Sequence, residues 1–338
     1  MQVSENVLLK SYNTFGIGAH ARYFATFASV EDLMDLTAQQ QRSNLPRMIL
    51  GGGSNILFTG DFNGWMLKNE LKGITVVKED NDYVYVKAGA GENWHGFVQH
   101  CIALQLGGVE NLSLIPGNVG ASPMQNIGAY GVEIKDVFHE LEALHLDDNR
   151  IVTFNNADCQ FGYRESVFKR QYRNQFAILS VTYRLSKKPH FNTSYGAINE
   201  ELQRMDVQTL SIQAISQAVI NIRSSKLPNP AEIGNAGSFF KNPTIPKEQY
   251  EALHAAFPQL VAYPVANHAF KLAAGWLIEQ CGWKGYRKGD AGVHAKQALV
   301  LVNYGGATGK EIYRLSQKVV DSVQAKFGVE LEREVNIA

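Results

Sequence analysis

Residues 48–55 read MILGGGSN, in which a short apolar run leads directly into three glycines, a serine and an asparagine. The apolar run predicts a buried strand, and the glycines predict a tight loop at its end. Consecutive backbone amides without side chains form a nest that binds anions such as a diphosphate. A simple turn within a sheet is the better interpretation of this loop taken alone.

A second glycine-rich segment, residues 115–131, reads IPGNVGASPMQNIGAYG and holds too many breakers for a regular helix or strand. Long loops without secondary structure are usually functional. Two such loops in one half of the chain predict a long ligand, with one end held by each loop. Neither loop contains GxxxxGK[S/T], and neither has GxGxxG opening a helix, which disfavours a P-loop and a Rossmann site.

The hydrophobic pattern around these loops predicts a sheet covered by a helix. Strands are predicted at residues 65–67, 74–77, 83–86, 141–146, 150–153 and 177–185. Apolar residues at 94, 97, 98, 101 and 102 define one face of a helix that should lie on this sheet. The second half is richer in helix, with helices predicted near residues 212–226, 247–257, 272–280 and 308–327 and a buried strand at 298–302.

Composition limits the class of protein. A chain of 338 residues fits two or three packed units. Its 32 basic and 32 acidic residues give no net charge, which predicts no general attraction to nucleic acid or anionic lipid. The sequence shows no signal-peptide pattern and no apolar run of membrane-spanning length, so we expect a soluble, cytoplasmic protein. Cys101, Cys159 and Cys281 are far apart, which predicts neither a disulfide framework nor a metal site.

A third segment, residues 234–243, reads GNAGSFFKNP and is predicted to be a loop, with Ser238 between a glycine and two phenylalanines. A nucleophilic serine needs a base beside its hydroxyl. The motif GxSxG is absent, although nine histidines leave a triad open. In the alternative role, Ser238 gives its proton to a developing carbanion as a general acid. The segment alone favours neither role.

Two charged residues lie in short motifs elsewhere. Arg164, in FGYRES at residues 161–166, is interpreted equally as a surface charge or as a bidentate partner for a substrate carboxylate. Glu334 lies in ELEREV at residues 330–335, where alternation would put Glu330, Glu332 and Glu334 on one face of a strand. A solvated acidic face is the simpler interpretation of that alternation.

Six segments, taken in order, resemble one family. They are residues 13–15 (NTF), 51–55 (GGGSN), 115–131, 163–164 (YR), 237–243 (GSFFKNP) and 334–335 (EV). The set spans nearly the whole chain and is similar to UDP-N-acetylenolpyruvoylglucosamine reductase, the MurB flavoenzyme family of peptidoglycan synthesis. The resemblance implies an α+β fold class, with an FAD-binding domain of the vanillyl-alcohol-oxidase (PCMH) type and a C-terminal α+β substrate-binding domain. It divides the chain into three regions. Residues 1–188 form an FAD-binding region of two subdomains, residues 189–210 form a tyrosine loop and linker, and residues 211–338 form a substrate-binding region. The last strand of this third region returns to the active site.

The resemblance identifies the predicted long ligand as FAD. It implies noncovalent binding, because the first loop ends in Gly53-Ser54-Asn55 and has no histidine to which flavin would attach. The implied FAD-binding residues are Gly51, Gly52, Gly53, Ser54, Asn55, Ile115, Pro116, Gly117, Gly120, Ser122, Gln125, Asn126, Gly128 and Ile178.

The resemblance also implies a reaction. NADPH reduces FAD, and the enolpyruvyl ether of UDP-N-acetylglucosamine then takes a hydride from flavin N5 at C3 and a proton at C2, giving UDP-N-acetylmuramate. Ser238 matches the family's proton donor. Arg164 matches the residue at the carboxylate and enolate oxygens, and Glu334 matches an adjacent acid or electrostatic residue. Negative charge must be neutralised where it develops.

The family's UDP-binding positions match Tyr195, Lys226, Asn242, Lys284 and Gln297. The pair Tyr195-Gly196 points to the subgroup in which a tyrosine loop covers the substrate. Two departures from the family pattern are Ala121, where relatives often have serine, and Arg333, where proline commonly precedes the glutamate.

Two other functions stay open on the sequence. One is another FAD-dependent oxidase or dehydrogenase of the same flavin fold, which would not need Ser238, Lys226 and Glu334 together. The other is a nucleotide-binding protein without turnover, which the set of Arg164, Ser238 and Glu334 argues against. We expect small-molecule substrates as partners, with no nucleic acid, membrane or metal, and a monomer.

Overall fold

The computed structural model describes residues 2–338, which form two compact units. The first unit consists of residues 2–7, Ala21–Gly53 and Phe62–Ser225. The second unit consists of Leu8–His20, Ser54–Asp61 and Lys226–Ala338. The chain thus passes from one unit to the other inside the first glycine loop, between Gly53 and Ser54. The functional division at residues 188 and 211 stays a prediction.

The α-helices begin and end as the local sequence dictates. They are α1 (Val30–Ser43), α2 (Trp94–Ala103), α3 (Asn156–Cys159), α4 (Gly196–Arg204), α5 (Ile212–Lys226), α6 (Lys247–Ala256), α7 (Ala274–Gln280) and α8 (Gly309–Phe327). Helix α8 starts at a capping box in which Thr308 and Glu311 satisfy each other's backbone amides. It ends at Gly328, whose φ of 65° suits a residue without Cβ.

The strands are short and numerous. In chain order they are β1 (Ser4–Leu8), β2 (His20–Phe27), β3 (Arg47–Leu50), β4 (Ile56–Leu57), β5 (Phe62–Asn69), β6 (Ile74–Glu79), β7 (Tyr83–Gly89), β8 (Gly128–Ala129), β9 (Val132–Glu133), β10 (Phe138–His145), β11 (Ile151–Asn155), β12 (Phe176–Ser186), β13 (Gly234–Ser238), β14 (Thr244–Pro246), β15 (Ala262–Val265), β16 (Ala269–Leu272), β17 (Arg287–Lys288), β18 (Ala291–Val293), β19 (Val300–Asn303) and β20 (Asn336–Ile337).

The first unit is built on two sheets. One has the strand order β1-β2-β5-β3, with β5 parallel to β2 and β3. The other has the order β11-β10-β12-β7-β6 and is antiparallel. The buried face of α2 packs on the second sheet, where the rings of Trp94 and Phe97 contact Tyr183 of β12. The predicted packing of this helix on a sheet is confirmed.

The second unit contains α8 and three smaller sheets. Their strand orders are β13-β19-β18-β17, β14-β16-β15 and β20-β4. The last pair is parallel and joins residues 56–57 to residues 336–337. Helix α8 buries one face, with Ile312, Val319 and Val323 fully covered. This unit is therefore held together by pairings between residues far apart in sequence.

Three local predictions need correction. Leu272 ends strand β16, and the helix begins only at Ala274, whose amide donates to Asn242 Oδ1. Residues 330–335 form no regular strand; Arg333 makes an isolated bridge with Phe240. Glu330 and Glu332 are exposed but Glu334 is partly buried, so the three glutamates do not share one solvated face. Ser238, predicted in a loop, is the last residue of β13.

Within residues 2–338, no helix is long and apolar enough to cross a membrane. The same part of the chain contains no cluster of three or more histidine, cysteine, aspartate or glutamate side chains placed to hold a metal ion.

Candidate active site

The two glycine-rich loops meet in the first unit. A Cβ atom on Gly52 would lie 2.8 Å from Gly117 Cα and 3.0 Å from Asn118 Oδ1. A Cβ atom on Gly120 would lie 2.6 Å from the Ala90 side chain. Both distances are shorter than van der Waals contact allows, so these positions require glycine. The loops predicted to hold the two ends of one ligand are therefore packed against each other.

A cavity of about 170 Å³ opens beside these loops in the first unit. Three of the predicted FAD-binding residues, Gly51, Gly120 and Ile178, contribute to its wall. Ala121, which stands where relatives often have serine, also lines the cavity. Other lining residues are Met48, Asn69, Ala90, Met124 and Phe176. Apolar side chains make up much of this wall, which suits the aromatic ring of a cofactor.

Two predicted FAD-binding side chains are used inside the protein. The Ser122 hydroxyl is fully buried and lies 2.6 Å from Tyr183 Oη. Asn126 is also fully buried; its Nδ2 donates to Glu133 Oε2 and to the Gly162 carbonyl, and its Oδ1 accepts from the Lys135 amide. These two side chains fix the second loop. Any contact of Ser122 or Asn126 with FAD would therefore be made by their backbone atoms.

Arg164 sits in a tight turn between Gly162 and Glu165, which exchange two backbone hydrogen bonds. Its φ is 54°, an uncommon conformation for a residue with a side chain. Its Nη2 donates to the Gly128 carbonyl at 2.6 Å, and its guanidinium lies 5.4 Å from the centre of the Tyr163 ring. Arg164 is thus attached to the second glycine loop and is partly buried. Its role in binding a substrate carboxylate stays a prediction.

A second arginine, Arg223 of α5, lies near Arg164 and was not identified from the sequence. Its Nε donates to the Leu114 carbonyl at 3.2 Å, and it hydrogen-bonds the Tyr130 side chain. Burial lowers the pKa of the Arg223 guanidinium; Tyr130 raises that pKa, and Arg164 lowers it. One signal was available, because Arg223 continues the buried Ser216 and Val219 stripe at helical spacing. Two neighbouring guanidinium groups can together bind an anion such as a carboxylate.

Leu114, at the start of the second loop, is held from two sides. Its amide donates to His95 Nδ1 at 3.0 Å, and its carbonyl accepts from Arg223. Burial and the nearby Arg223 lower the pKa of His95, which favours the neutral imidazole that this hydrogen bond requires. Leu114 has a φ of 58°. Side chains of α2 and α5 therefore set the conformation at which the loop begins.

The predicted tyrosine loop packs within the first unit. The Tyr195 ring meets the Tyr130 ring edge to face, with 5.3 Å between the ring centres. Upstream, the Asn192 carbonyl accepts from Asn111 Nδ2, and Asn192 Nδ2 donates to the Gly131 carbonyl. Tyr195 remains 49% exposed. The loop is attached beside Tyr130 and leaves a large aromatic face open.

Ser238, in the second unit, is presented by a bulged strand. It pairs with Val300 across β13 and β19, and the register shifts between Asn235 and Ser238. Gly237 adopts a φ of 69°, and its amide donates to Asn235 Oδ1 at 2.9 Å. The bulge places Ser238 partly exposed while Phe239 is fully buried. A β-bulge of this kind commonly aims a functional side chain.

The motif at residues 13–15 hydrogen-bonds to this bulge and packs against it. Thr14 Oγ1 donates to the Asn235 carbonyl at 2.6 Å, and the Asn235 amide donates to the Thr14 carbonyl. Phe15 accepts from Asn303 Nδ2 and meets the Phe239 ring edge to face. The motif therefore has a structural role within the second unit.

Glu334 lies next to Ser238 in the same unit. Its amide donates 2.8 Å to the carbonyl of Phe239, the residue after Ser238. The Glu334 carbonyl accepts from Asn55 Nδ2 at 3.3 Å, so the end of the first glycine loop also lies beside Glu334. The structure thus brings Ser54-Asn55, Ser238 and Glu334 together, and we call this group of residues the Ser238 corner. Arg164 belongs to the first unit.

The residues predicted to bind UDP are only partly brought together. Asn242 Oδ1 caps the Ala274 amide, and Gln297 Oε1 lies 3.2 Å from where a Cβ on Gly275 would sit, so both lie at the start of α7. Lys284 is paired with Glu279 near the other end of α7. Lys226 is exposed at the end of α5. Tyr195 lies in the first unit.

Two protein-family models match the chain. A model described as FAD binding domain matches residues 21–155, which contain both glycine loops. A model described as UDP-N-acetylenolpyruvoylglucosamine reductase, C-terminal domain, matches residues 229–338, which contain Ser238 and Glu334. The fold and site therefore define an FAD-dependent oxidoreductase.

Full-length relatives specify the family. The UDP-N-acetylenolpyruvoylglucosamine reductase of Amoebophilus asiaticus is 52% identical over 337 residues, covering 100% of this chain and 99% of the relative. The reductase of the same description from Flavobacterium johnsoniae is 51% identical over 338 residues, covering all of both chains. The chain belongs to the UDP-N-acetylenolpyruvoylglucosamine reductase family.

A solved structure supports the fold. The crystal structure of UDP-N-acetylenolpyruvylglucosamine reductase (MurB) from Thermus caldophilus matches with a TM-score of 0.70 and 24% identity, covering 100% of this chain and 99% of that one. The predicted fold class is confirmed in its main parts: an α+β chain with an FAD-binding domain and the C-terminal domain of this reductase family. The predictions of an enzyme of this reductase family and of FAD as its cofactor are also confirmed.

Proposed function

We propose that the protein reduces UDP-N-acetylglucosamine enolpyruvate to UDP-N-acetylmuramate with NADPH as reductant. FAD, which the residues of the two glycine loops would hold, would supply hydride transfer from NADPH, through flavin N5, to C3 of the enolpyruvyl group. The chain's own residues supply the proton, neutralise charge and hold the two ligands.

Ser238 donates the proton to C2 of the substrate. A serine hydroxyl is a weak acid, so it needs a neighbour that stabilises the oxygen as the proton leaves. The carrying observation is the hydrogen bond from the Glu334 amide to the Phe239 carbonyl, which fixes Glu334 beside Ser238. Glu334 then has one of two roles. It is an adjacent acid that supplies the proton through Ser238, or it stabilises charge near Ser238 electrostatically.

Arg164 binds the substrate carboxylate and the enolate oxygen. Its attachment to the Gly128 carbonyl pre-orients the guanidinium, so less freedom is lost when the carboxylate binds. Arg223 adds a second positive charge whose known partners, the Leu114 carbonyl and Tyr130, are neutral. A pair of guanidinium groups stabilises the carboxylate most when negative charge develops on it.

The ligand-holding residues are proposed as follows. FAD is bound noncovalently by the residues of the two glycine loops and Ile178 given above, which the abutting loops and the cavity beside them support. Tyr195, Lys226, Asn242, Lys284 and Gln297 hold the UDP moiety, with Tyr195 closing over it as in the tyrosine-loop subgroup. We further propose that the enzyme acts as a monomer in the cytoplasm.

Rapid-mixing kinetics without oxygen test the proton-donor role. Ser238→Ala should leave the reduction of bound FAD by NADPH nearly unchanged and should slow its reoxidation by substrate by about 100-fold or more, the usual scale for a lost general acid. Ser225→Ala is the matched control, because this exposed hydroxyl donates to the Ile222 carbonyl in α5. Equal losses in both half-reactions would contradict the role of Ser238, and a protein that cannot bind FAD would contradict the whole proposal.

A further inference from the structure

Glu334 has little regular secondary structure to hold it. Residues 329–335 form one isolated antiparallel bridge, between Arg333 and Phe240. The bridge consists of two hydrogen bonds, from the Lys241 amide to the Glu332 carbonyl at 2.9 Å and from the Glu334 amide to the Phe239 carbonyl at 2.8 Å. The bond from Asn55 Nδ2 to the Glu334 carbonyl and the ion pair between Lys241 and Glu332 add to these two bonds on either side of Arg333. A residue whose carboxylate must keep one direction also needs a fixed backbone at its preceding neighbour.

The Arg333 side chain attaches this segment to α8. Its Nε donates to Ser316 Oγ at 2.8 Å, and its Nη2 donates to Gln317 Oε1 at 2.7 Å. Its guanidinium carbon also lies 4.7 Å from the centre of the Tyr313 ring. Residues 313, 316 and 317 are spaced so that they lie on one face of the helix. One side chain therefore makes three contacts on two successive turns of α8.

Helix α8 is a rigid support for such an attachment. Ser316 is fully buried, and its hydroxyl donates to the Tyr313 carbonyl at 2.7 Å. The helix is anchored by fully buried residues, including Ile312 and Val319. The Ser316 hydroxyl is therefore fixed before the arginine reaches it, and the Gln317 amide is oriented by its own hydrogen bond to Asp321 Oδ1. The planar guanidinium can bond to both groups and contact the Tyr313 ring at once.

We infer that Arg333 is a positioning residue, which holds the Glu334 backbone against β13 by attaching the preceding residue to α8. The functional part of this inference rests on the proposed role of Glu334, whereas the structural part does not. Arg333 acts through the main chain: its side chain fixes residue 333, and the next amide bonds to the Phe239 carbonyl.

Hydrogen exchange tests the structural part independently of catalysis. In Arg333→Ala, the Glu334 and Lys241 amides should exchange at least about tenfold faster than in the unchanged protein, because the bridge opens locally more often. Arg287→Ala is a matched control: Arg287 also donates two hydrogen bonds, to the Gly289 carbonyl and Asp290, and stacks 4.0 Å from the Tyr304 ring centre. It should leave exchange at both amides unchanged. Unchanged exchange in Arg333→Ala would overturn the inference.

A double-mutant cycle tests the functional part. Arg333→Ala should slow reoxidation of reduced FAD by substrate about tenfold while leaving FAD reduction by NADPH intact, and it should have little further effect in a Glu334→Gln background. Arg333→Lys, which keeps the charge and one donor, should recover part of the rate. An equal effect of Arg333→Ala in both backgrounds would show that Arg333 does not act through Glu334.

The two arms separate the possible failures. If Glu334→Gln reoxidises at the unchanged rate while exchange responds to Arg333→Ala, the proposed role of Glu334 is wrong and the anchoring by Arg333 stands. If Glu334→Gln is slow but neither exchange nor reoxidation responds to Arg333→Ala, the anchoring is wrong and the role of Glu334 stands.

Discussion

The glycine loops of the first unit and the Ser238 corner of the second unit are positioned in opposite ways. Where the two loops meet, their packing depends on a missing side chain, since a Cβ on Gly52 would lie 2.8 Å from Gly117 Cα. The corner takes its shape from side chains that reach distant backbone, with Thr14 bonded to Asn235 and Asn55 to Glu334. The comparison teaches that a binding surface for a cofactor and a proton-donating corner need different support: close backbone approach in the first, and fixed direction in the second.

The largest expected effect is a loss of stability and of FAD binding when the contact between the two glycine loops is disrupted. Gly52→Ala brings a methyl group to 2.8 Å from Gly117 Cα, and overpacking against backbone costs about 1–3 kcal/mol or more. We expect denaturation of the FAD-free protein to show this loss, together with weakened FAD binding. Gly51→Ala is the matched control within the same loop, because its nearest neighbour, Asn118 Cβ, is 3.9 Å away. Equal stability of both FAD-free variants would contradict packing as the reason for Gly52.

A smaller effect tests the second region. Asn235 is buried, and its side chain bonds to the Pro228 and Ile233 carbonyls and to the Gly237 amide. Asn235→Ala should lower the unfolding free energy by about 2 kcal/mol and slow reoxidation by substrate, with FAD affinity nearly unchanged. The buried Asn126 provides the contrast in the first region: Asn126→Ala should weaken FAD binding. Titration with FAD and rapid-mixing kinetics on both variants would sharpen the comparison, and interchanged effects would contradict it.

The smallest effect is a pH dependence away from both regions. Hydrogen bonds from Lys87 and Ser180 lower the pKa of Glu142 in the first unit, with the Lys87 bond the larger cause. A lowered folded-state pKa contributes stability above the unfolded pKa of about 4.3, and this stability is lost as pH falls through the folded value. Glu142→Gln should therefore lower the melting temperature slightly at pH 7. The difference should shrink below about pH 4; a constant difference would show that charge is not its cause.

The sequence predicted what depends on local pattern. The strand before Gly51, helix α2 and the length of α8 follow from apolar periodicity and glycine content, and each lies close to its predicted range. The glycine-rich loops were recognisable because composition alone marks them. The ordered motifs then indicated the family, which the comparisons confirm.

What the sequence could not predict depends on contacts between distant residues. Helix α7 starts at Ala274 because Asn242 caps it from 32 positions earlier. The burial of Glu334 follows from its bond to Phe239 and from Asn55, not from the alternation of residues 330–335. Arg223 was missed because an arginine on a helix is ordinarily a surface residue, and only the packing of α5 brings it to Tyr130.

The bond between Asn55 and Glu334 joins residues 279 positions apart, and β4 pairs with β20 over a similar separation. Contacts of such long range form slowly, because the intervening chain must first lose its freedom. As the ribosome extends the chain, Asn55 emerges long before its partner does. The Ser238 corner therefore cannot be completed until 279 residues beyond Asn55 have been synthesised.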